Sequence, residues 1–132
     1  MKLRIFLIED SPVIRENLIE HLEDVMDAEV VGWSATQEDS TTWLHQHAAD
    51  WDLAVVDLFL SHGNGLGVLR DCPDRSSAQS MVVLSNYATQ EMRKRCLIEG
   101  ADAVFDKSQE LDEFLAFAQS CHTSRNLDSR LS

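Results

Sequence analysis

The sequence predicts an α/β domain built on a five-stranded parallel sheet with helices on both faces. Three observations predict it. Short, nearly continuous apolar runs recur five times along the chain, segments with helical apolar spacing separate them, and no internal repeat or linker interrupts the alternation. Continuous apolar runs suit strands covered on both faces. Strand–helix alternation at short intervals is the pattern of parallel βαβ units, whose crossovers are right-handed by strong default.

The elements follow in order. Leu3-Arg4-Ile5-Phe6-Leu7-Ile8 reads as the first strand. Ser11-Pro12 opens a helix, because Ser caps well and Pro suits the first helical position. Ile14, Leu18, Leu22 and Val25 then recur at helical spacing, with Arg15, Glu16, Glu20 and Glu23 at polar positions. Residues 29–33 form a second strand and residues 37–49 a helix weakened by Ser40, Thr41 and Thr42. The third strand covers 53–59 and runs into the loop Ser61-His62-Gly63-Asn64-Gly65. A short helix at 66–70 ends before Pro73, and 71–80 is polar and irregular. Residues 81–84 are the fourth strand. Thr89 caps a helix reaching Glu99, and Gly100 stops it. Ala103-Val104-Phe105 is the fifth strand. A last helix over 109–121 places Leu111, Phe114, Leu115 and Ala118 on one stripe. From Thr123 the chain is polar and expected to fray, so the division is a domain at 1–122 and a polar tail at 123–132.

Composition narrows the function. A chain of 132 residues has room for one domain. Eleven basic against 23 acidic side chains leave a formal charge of −12, which excludes a domain living on nucleic-acid phosphates and favours cations and basic partner surfaces. The apolar run near Ile5 to Ile8 is far too short to cross a bilayer. Glu9 and Asp10 end it without a cleavage site, so no secretory signal is expected. Cys72, Cys96 and Cys121 are odd in number and widely spaced, the usage of free thiols in a reducing cytoplasm.

In a parallel sheet of this kind the working groups gather at the carboxyl ends of the strands. The first strand ends in Glu9-Asp10, the third at Asp57, the fourth in Ser85-Asn86 and the fifth in Asp106-Lys107. Three carboxylates in one pocket repel one another. A hard divalent cation such as Mg²⁺ resolves this with oxygen ligands. Lys107 offers a cation for a carboxylate or a phosphoryl oxygen, and Ser85 offers a hydroxyl donor. A central carboxylate, a metal site, a lysine and a hydroxyl are what phosphoryl transfer onto a carboxylate requires. Asp57 is the best nucleophile, lying on the central strand between the acidic pair and Lys107.

These pieces, in this order, resemble the receiver domain of two-component response regulators, over about residues 2–120. They are Leu7-Ile8-Glu9-Asp10, Ala54-Val55-Val56-Asp57-Leu58, Ser85 after Met81-Val82-Val83-Leu84, and Ala103-Val104-Phe105-Asp106-Lys107. The resemblance implies the (βα)5 flavodoxin-like receiver fold, with Asp57 as phospho-acceptor for a histidine kinase or phosphotransfer protein. It implies Mg²⁺ on Glu9, Asp10, Asp57 and the backbone carbonyl of Phe59, with Ser85 and Lys107 on the phosphoryl group. Ser85 and Phe105 are the switch residues by resemblance; on residues alone Phe105 is a core aromatic. The face of the fourth helix, fifth strand and fifth helix is then a candidate homodimer or partner surface. At this length the chain is expected to act alone, through protein contact in trans; the alternative is a receiver cut from a longer regulator.

Two positions depart from the family pattern. Ser108 stands where Pro usually follows the lysine. A non-proline cis bond costs about 2.5–4 kcal/mol, so a trans bond and a differently aimed Lys107 are expected. Asn86 stands where Ala or Gly usually follows the hydroxyl, and is expected to narrow access to Asp57 or add a hydrogen bond. Asp106 and Glu110 are expected to be solvated, His62 to be an exposed loop residue, and Trp33, Trp43 and Trp51 to be packing residues. The run Gly63-Asn64-Gly65-Leu66-Gly67 lacks the Lys-Ser/Thr ending of a phosphate loop and reads as a turn. An aspartyl-phosphate phosphatase on a similar sheet is the competing enzyme reading, and Phe59 stands where such enzymes carry a second acid. A flavin or cobalamin carrier is the competing binding module, and the ligating His of the cobalamin type is missing at that offset.

Overall fold

The computed structural model describes residues 2–131, and the side chains of 2–122; Ser132, the last residue of the expected tail, lies outside them. Among the described residues five strands alternate with five helices: β1 Leu3–Ile8, α1 Pro12–Val25, β2 Ala28–Ser34, α2 Gln37–Gln46, β3 Leu53–Val56, α3 Gly65–Arg70, β4 Ser80–Ser85, α4 Gln90–Ile98, β5 Ala103–Asp106 and α5 Leu111–Leu131. The strands pair in parallel in the order β2-β1-β3-β4-β5.

The strand pleat sorts the apolar side chains into two cores, one per face. Leu3, Ile5 and Leu7 of β1 pack with Leu18 and Leu22 of α1 and with Phe114 and Ala118 of α5. Phe6 and Ile8 point the other way, toward Leu44 of α2, Val68 and Leu69 of α3, and Cys96 of α4. This is why β1, β3 and β4 read as nearly continuous apolar runs. Trp51 is buried and Trp43 stacks on Phe6 at 4.0 Å, as packing residues should. Trp33 differs. It lies at the end of the edge strand β2, stays half exposed, and carries the Arg15 guanidinium 3.6 Å from its ring centre.

Helix starts follow the capping signals. Ser11, Thr36, Asn64 and Thr89 each accept a backbone N–H from the first turn of α1, α2, α3 and α4. Ends are less legible. α2 stops at Gln46, three residues before its expected end, with His47 closing onto the Trp43 carbonyl. β3 ends at Val56 rather than Phe59, because the chain turns after Asp57 to start α3. The last helix also runs past its expected end at residue 121: α5 continues to Leu131. No Gly or Pro stands in residues 111–131 to stop it.

Candidate functional site

Backbone hydrogen bonds continue past three strand ends and thereby place the side chains of the rim. Glu9 N–H donates to the Ser34 carbonyl at 3.0 Å, Asp57 N–H to Ile8 at 3.0 Å and Lys107 N–H to Ser85 at 3.1 Å. Gly65 then lets α3 start hard against the strand end; a Cβ there would overlap the Asp57 carbonyl oxygen. The glycine run read from sequence as a turn is this tight return, capped by Asn64 Oδ1 on Gly67 N–H at 2.9 Å.

Glu9, Asp10 and Asp57 converge, with one carboxylate oxygen from each lying within 4.8 Å of the others. Glu9 and Asp57 are buried; Asp10 is partly exposed. Lys107 Nζ donates to Glu9 Oε1 and lies 3.3 Å from Asp57 Oδ2. The other Glu9 oxygen accepts Ser11 N–H at 3.2 Å. Burial, and then the Glu9 carboxylate beside it, push the Asp10 carboxyl above its ordinary range, with Lys107 pulling the other way. Three acids facing one ammonium group leave this rim two charges in excess, and its donors are all hard oxygens. That set fits a hydrated divalent cation.

The other expected residues are placed as follows. Ser85 is buried at the end of β4, where its Oγ accepts Tyr87 N–H at 3.1 Å. Phe59 lies two residues past Asp57, its backbone bridged to Asn64 and its ring exposed. The Phe105 ring packs into the α1–α5 core, 6.2 Å from Phe114 and 5.8 Å from Phe117, so it does not join the carboxylates. The Lys107–Ser108 bond is trans, as expected. His62 is exposed, its carbonyl taking Gln37 N–H at 3.0 Å.

Sequence reasoning missed three features. Tyr87 is exposed and its ring meets that of Phe59 at 4.3 Å. The available signal was symmetry, since Tyr87 follows Ser85 by the same two residues that separate Phe59 from Asp57. Asp106 and Glu110, expected to be solvated, are committed instead. Asp106 Oδ1 accepts the N–H groups of Ser108 and Gln109 at 2.8 and 3.1 Å, and Glu110 Oε1 accepts Asp106 N–H at 2.9 Å and pairs with Arg93. Short loops that must turn leave backbone donors, and nearby acids take them. All three cysteines are free, and burial pushes each thiol up, away from reactivity.

The response regulator receiver domain family matches residues 5–119. A curated relative, the DNA-binding transcriptional activator DevR/DosR of Mycobacterium tuberculosis, is 29% identical over 98 residues; the match covers 74% of this chain and 44% of the relative. The chain thus spans less than half the length of that relative. Among solved structures, the response regulator domain of Thermotoga maritima CheB superposes with a TM-score of 0.79 at 16% identity, covering 92% of this chain and 96% of that one. The CheX-CheY-BeF3-Mg²⁺ complex from Borrelia burgdorferi contains a similar chain, with a TM-score of 0.73 at 16% identity and coverages of 87% and 88%. No helix among the described residues is long and apolar enough to cross a membrane. With the acid rim in place and the family match spanning nearly the whole chain, this protein belongs to the response regulator receiver domain family.

Proposed function

We propose that Asp57 is the phospho-acceptor, charged by a histidine kinase or phosphotransfer protein, and that the chain signals through protein contact. Mg²⁺ would be held by Glu9, Asp10, Asp57 and the backbone carbonyl of Phe59. One observation carries the reading: the Asp57 carboxylate lies within 4.8 Å of two other carboxylates and 3.3 Å from Lys107 Nζ. The excess of two negative charges is what a divalent cation offsets. When bound, Mg²⁺ would supply positive charge to the phosphoryl oxygens.

The remaining chemistry belongs to the chain. An Asp57 oxygen attacks phosphorus, the P–N bond of a phosphohistidine breaks, and its electron pair returns to the imidazole. Lys107 is placed to follow the charge as it passes from carboxylate to phosphoryl oxygens. Because Ser85 Oγ accepts from Tyr87 N–H, its own proton remains for a phosphoryl oxygen. The new dianion and its hydrogen bonds would bias a two-state element, with Ser85 and the Phe105 ring as the moving parts.

The chain would thus assist its own phosphorylation and dephosphorylation and turn over no outside substrate. The Borrelia CheY complex, which contains BeF3, Mg²⁺ and a protein partner, supports this reading. A homodimer through the face of α4, β5 and α5 and a cytoplasmic location belong to the same proposal.

Intact mass after incubation with acetyl phosphate and Mg²⁺ tests it. The wild type should gain one phosphoryl group while acetate leaves, and Asp57→Asn should gain none. Labelling that persists in Asp57→Asn, or an unlabelled wild type, overturns the reading.

A further inference from the structure

The two positions at which this chain departs from the receiver pattern touch each other. Asn86 follows Ser85 and Ser108 follows Lys107, so the contact joins the β4–α4 loop to the β5–α5 loop. Ser108 Oγ lies 2.9 Å from Asp106 Oδ1 and 3.5 Å from Asn86 Oδ1. The same Asp106 oxygen accepts two backbone N–H groups, from Ser108 at 2.8 Å and Gln109 at 3.1 Å. These donors, the Ser108 hydroxyl foremost, hold the Asp106 carboxyl below its ordinary range.

A hydroxyl has one proton, and the charged oxygen at 2.9 Å takes the larger share of it. The same hydroxyl reaches Asn86 Oδ1 as a second, longer acceptor at 3.5 Å. Ser108 Oγ is thus the shared donor between Asp106 and Asn86. Beside this side-chain strap lies the backbone bond from Lys107 N–H to the Ser85 carbonyl at 3.1 Å.

We propose that Ser108 and Asn86 are positioning residues that bind the Lys107 loop, in its trans form, to the Ser85 loop, so that ammonium and hydroxyl address one phosphoryl group together. The need is geometric. Lys107 divides its ammonium between Glu9 and Asp57. A flexible four-carbon stem does not by itself fix which one it serves. A small shift of its loop changes that division and moves it relative to Ser85. Where the family pattern has the ring of proline, this chain uses side-chain hydrogen bonds. The inference rests on the reading of Asp57 as phospho-acceptor.

Both residues are exposed, so truncation leaves no buried orphan and the fold should not notice. Four variants of the full chain test it: Ser108→Ala, Asn86→Ala, the double variant, and Ser108→Thr, which keeps the hydroxyl. The readouts are the rate of Asp57 labelling by acetyl phosphate at saturating Mg²⁺, Mg²⁺ affinity, and Tm. Each alanine variant should label about fivefold more slowly, the factor one neutral hydrogen bond carries. The double variant should be no slower than either single one, because both cut the same strap. Ser108→Thr should label at the wild-type rate, and Mg²⁺ affinity and Tm should hold throughout. Wild-type rates in the alanine variants, multiplying effects in the double variant, a slow Ser108→Thr, or Mg²⁺ affinity or Tm falling with the rate would each overturn the strap. A wild type unlabelled at Asp57 overturns the phospho-acceptor reading beneath it; a labelled wild type with unchanged variants overturns the strap alone.

Discussion

Strands β1 and β3 carry an ionic cluster at both of their ends, and the two clusters differ in balance. Where the strands begin, Arg4 forks onto Asp52, Nη2 to Oδ1 at 3.1 Å and Nε to Oδ2 at 3.3 Å, and its own N–H donates to Oδ2 at 2.8 Å. Asp52 N–H returns a bond to the Arg4 carbonyl at 2.7 Å. One cation meets one anion in bidentate geometry. Where the strands end, Glu9, Asp10 and Asp57 face Lys107. Asp52 and Glu9 are equally buried, each 2% exposed, so burial of an acid does not separate the two clusters. The excess of like charge does. The first cluster is complete and fixes the β1–β3 register; the second needs a counter-charge from outside the chain, the usual mark of a working site.

The largest expected effect comes from unbalancing the balanced end. Arg4→Met keeps the apolar stem but removes the guanidinium that faces a buried Asp52. Breaking one partner of a buried pair costs about 3 kcal/mol at the low end of its range, appropriate here because Arg4 is partly exposed. The urea midpoint should fall clearly, with no change in Mg²⁺ affinity. An unchanged midpoint would show that the matched fork is idle and would break the comparison.

At the other end, removing a charge should have the opposite sign. Asp10 has a raised carboxyl pKa in the fold, from burial first and Glu9 second. The folded chain therefore binds a proton that the unfolded chain has released, and stability falls as pH rises through that interval. At neutral pH the ionised Asp10 is a liability in the metal-free protein. Asp10→Asn should raise Tm near pH 7, and the gain should vanish below the ordinary carboxylate range. Added Mg²⁺ should reverse the order, because the wild type gains binding energy that the variant cannot. Melts at two pH values, with and without Mg²⁺, read all three signs; a variant that melts below the wild type without metal would refute the excess-charge account.

Much of this contrast was legible in the sequence, for physical reasons. Parallel strands buried on both faces leave continuous apolar runs, and Leu3–Ile8 and Ser80–Ser85 stand within a residue of their reading. The strand-end rule then brought Glu9, Asp10, Asp57 and Lys107 into view together. What stayed hidden are contacts between polar groups with no period. Nothing in the string announces that Asp52 takes Arg4, that Arg93 reaches Glu110 across 17 positions, or that Ser108 meets Asn86. The end of α5 was missed because a polar composition was read as a stop, whereas helices stop at Gly, Pro or a competing cap.

The smallest effect separates geometry from burial. Arg70 forks onto Glu99 with both bonds at 3.1 Å, as well made as the Arg4 fork, and it ties α3 to the residue that ends α4. The Arg70 guanidinium is the first cause holding the Glu99 carboxyl below its ordinary value. The contribution is therefore present above the ordinary carboxylate range and fades as pH falls through the lowered value. Water and salt reach this pair from most sides, however, and exposed pairs of this kind contribute little. Arg70→Ala should leave Tm unchanged within error at physiological salt, with any loss confined to low ionic strength. If Arg70→Ala instead cost as much as Arg4→Met, bidentate geometry rather than burial would set the value of such pairs. The contrast between the two ends of β1 and β3 would then have to be rebuilt on charge count alone.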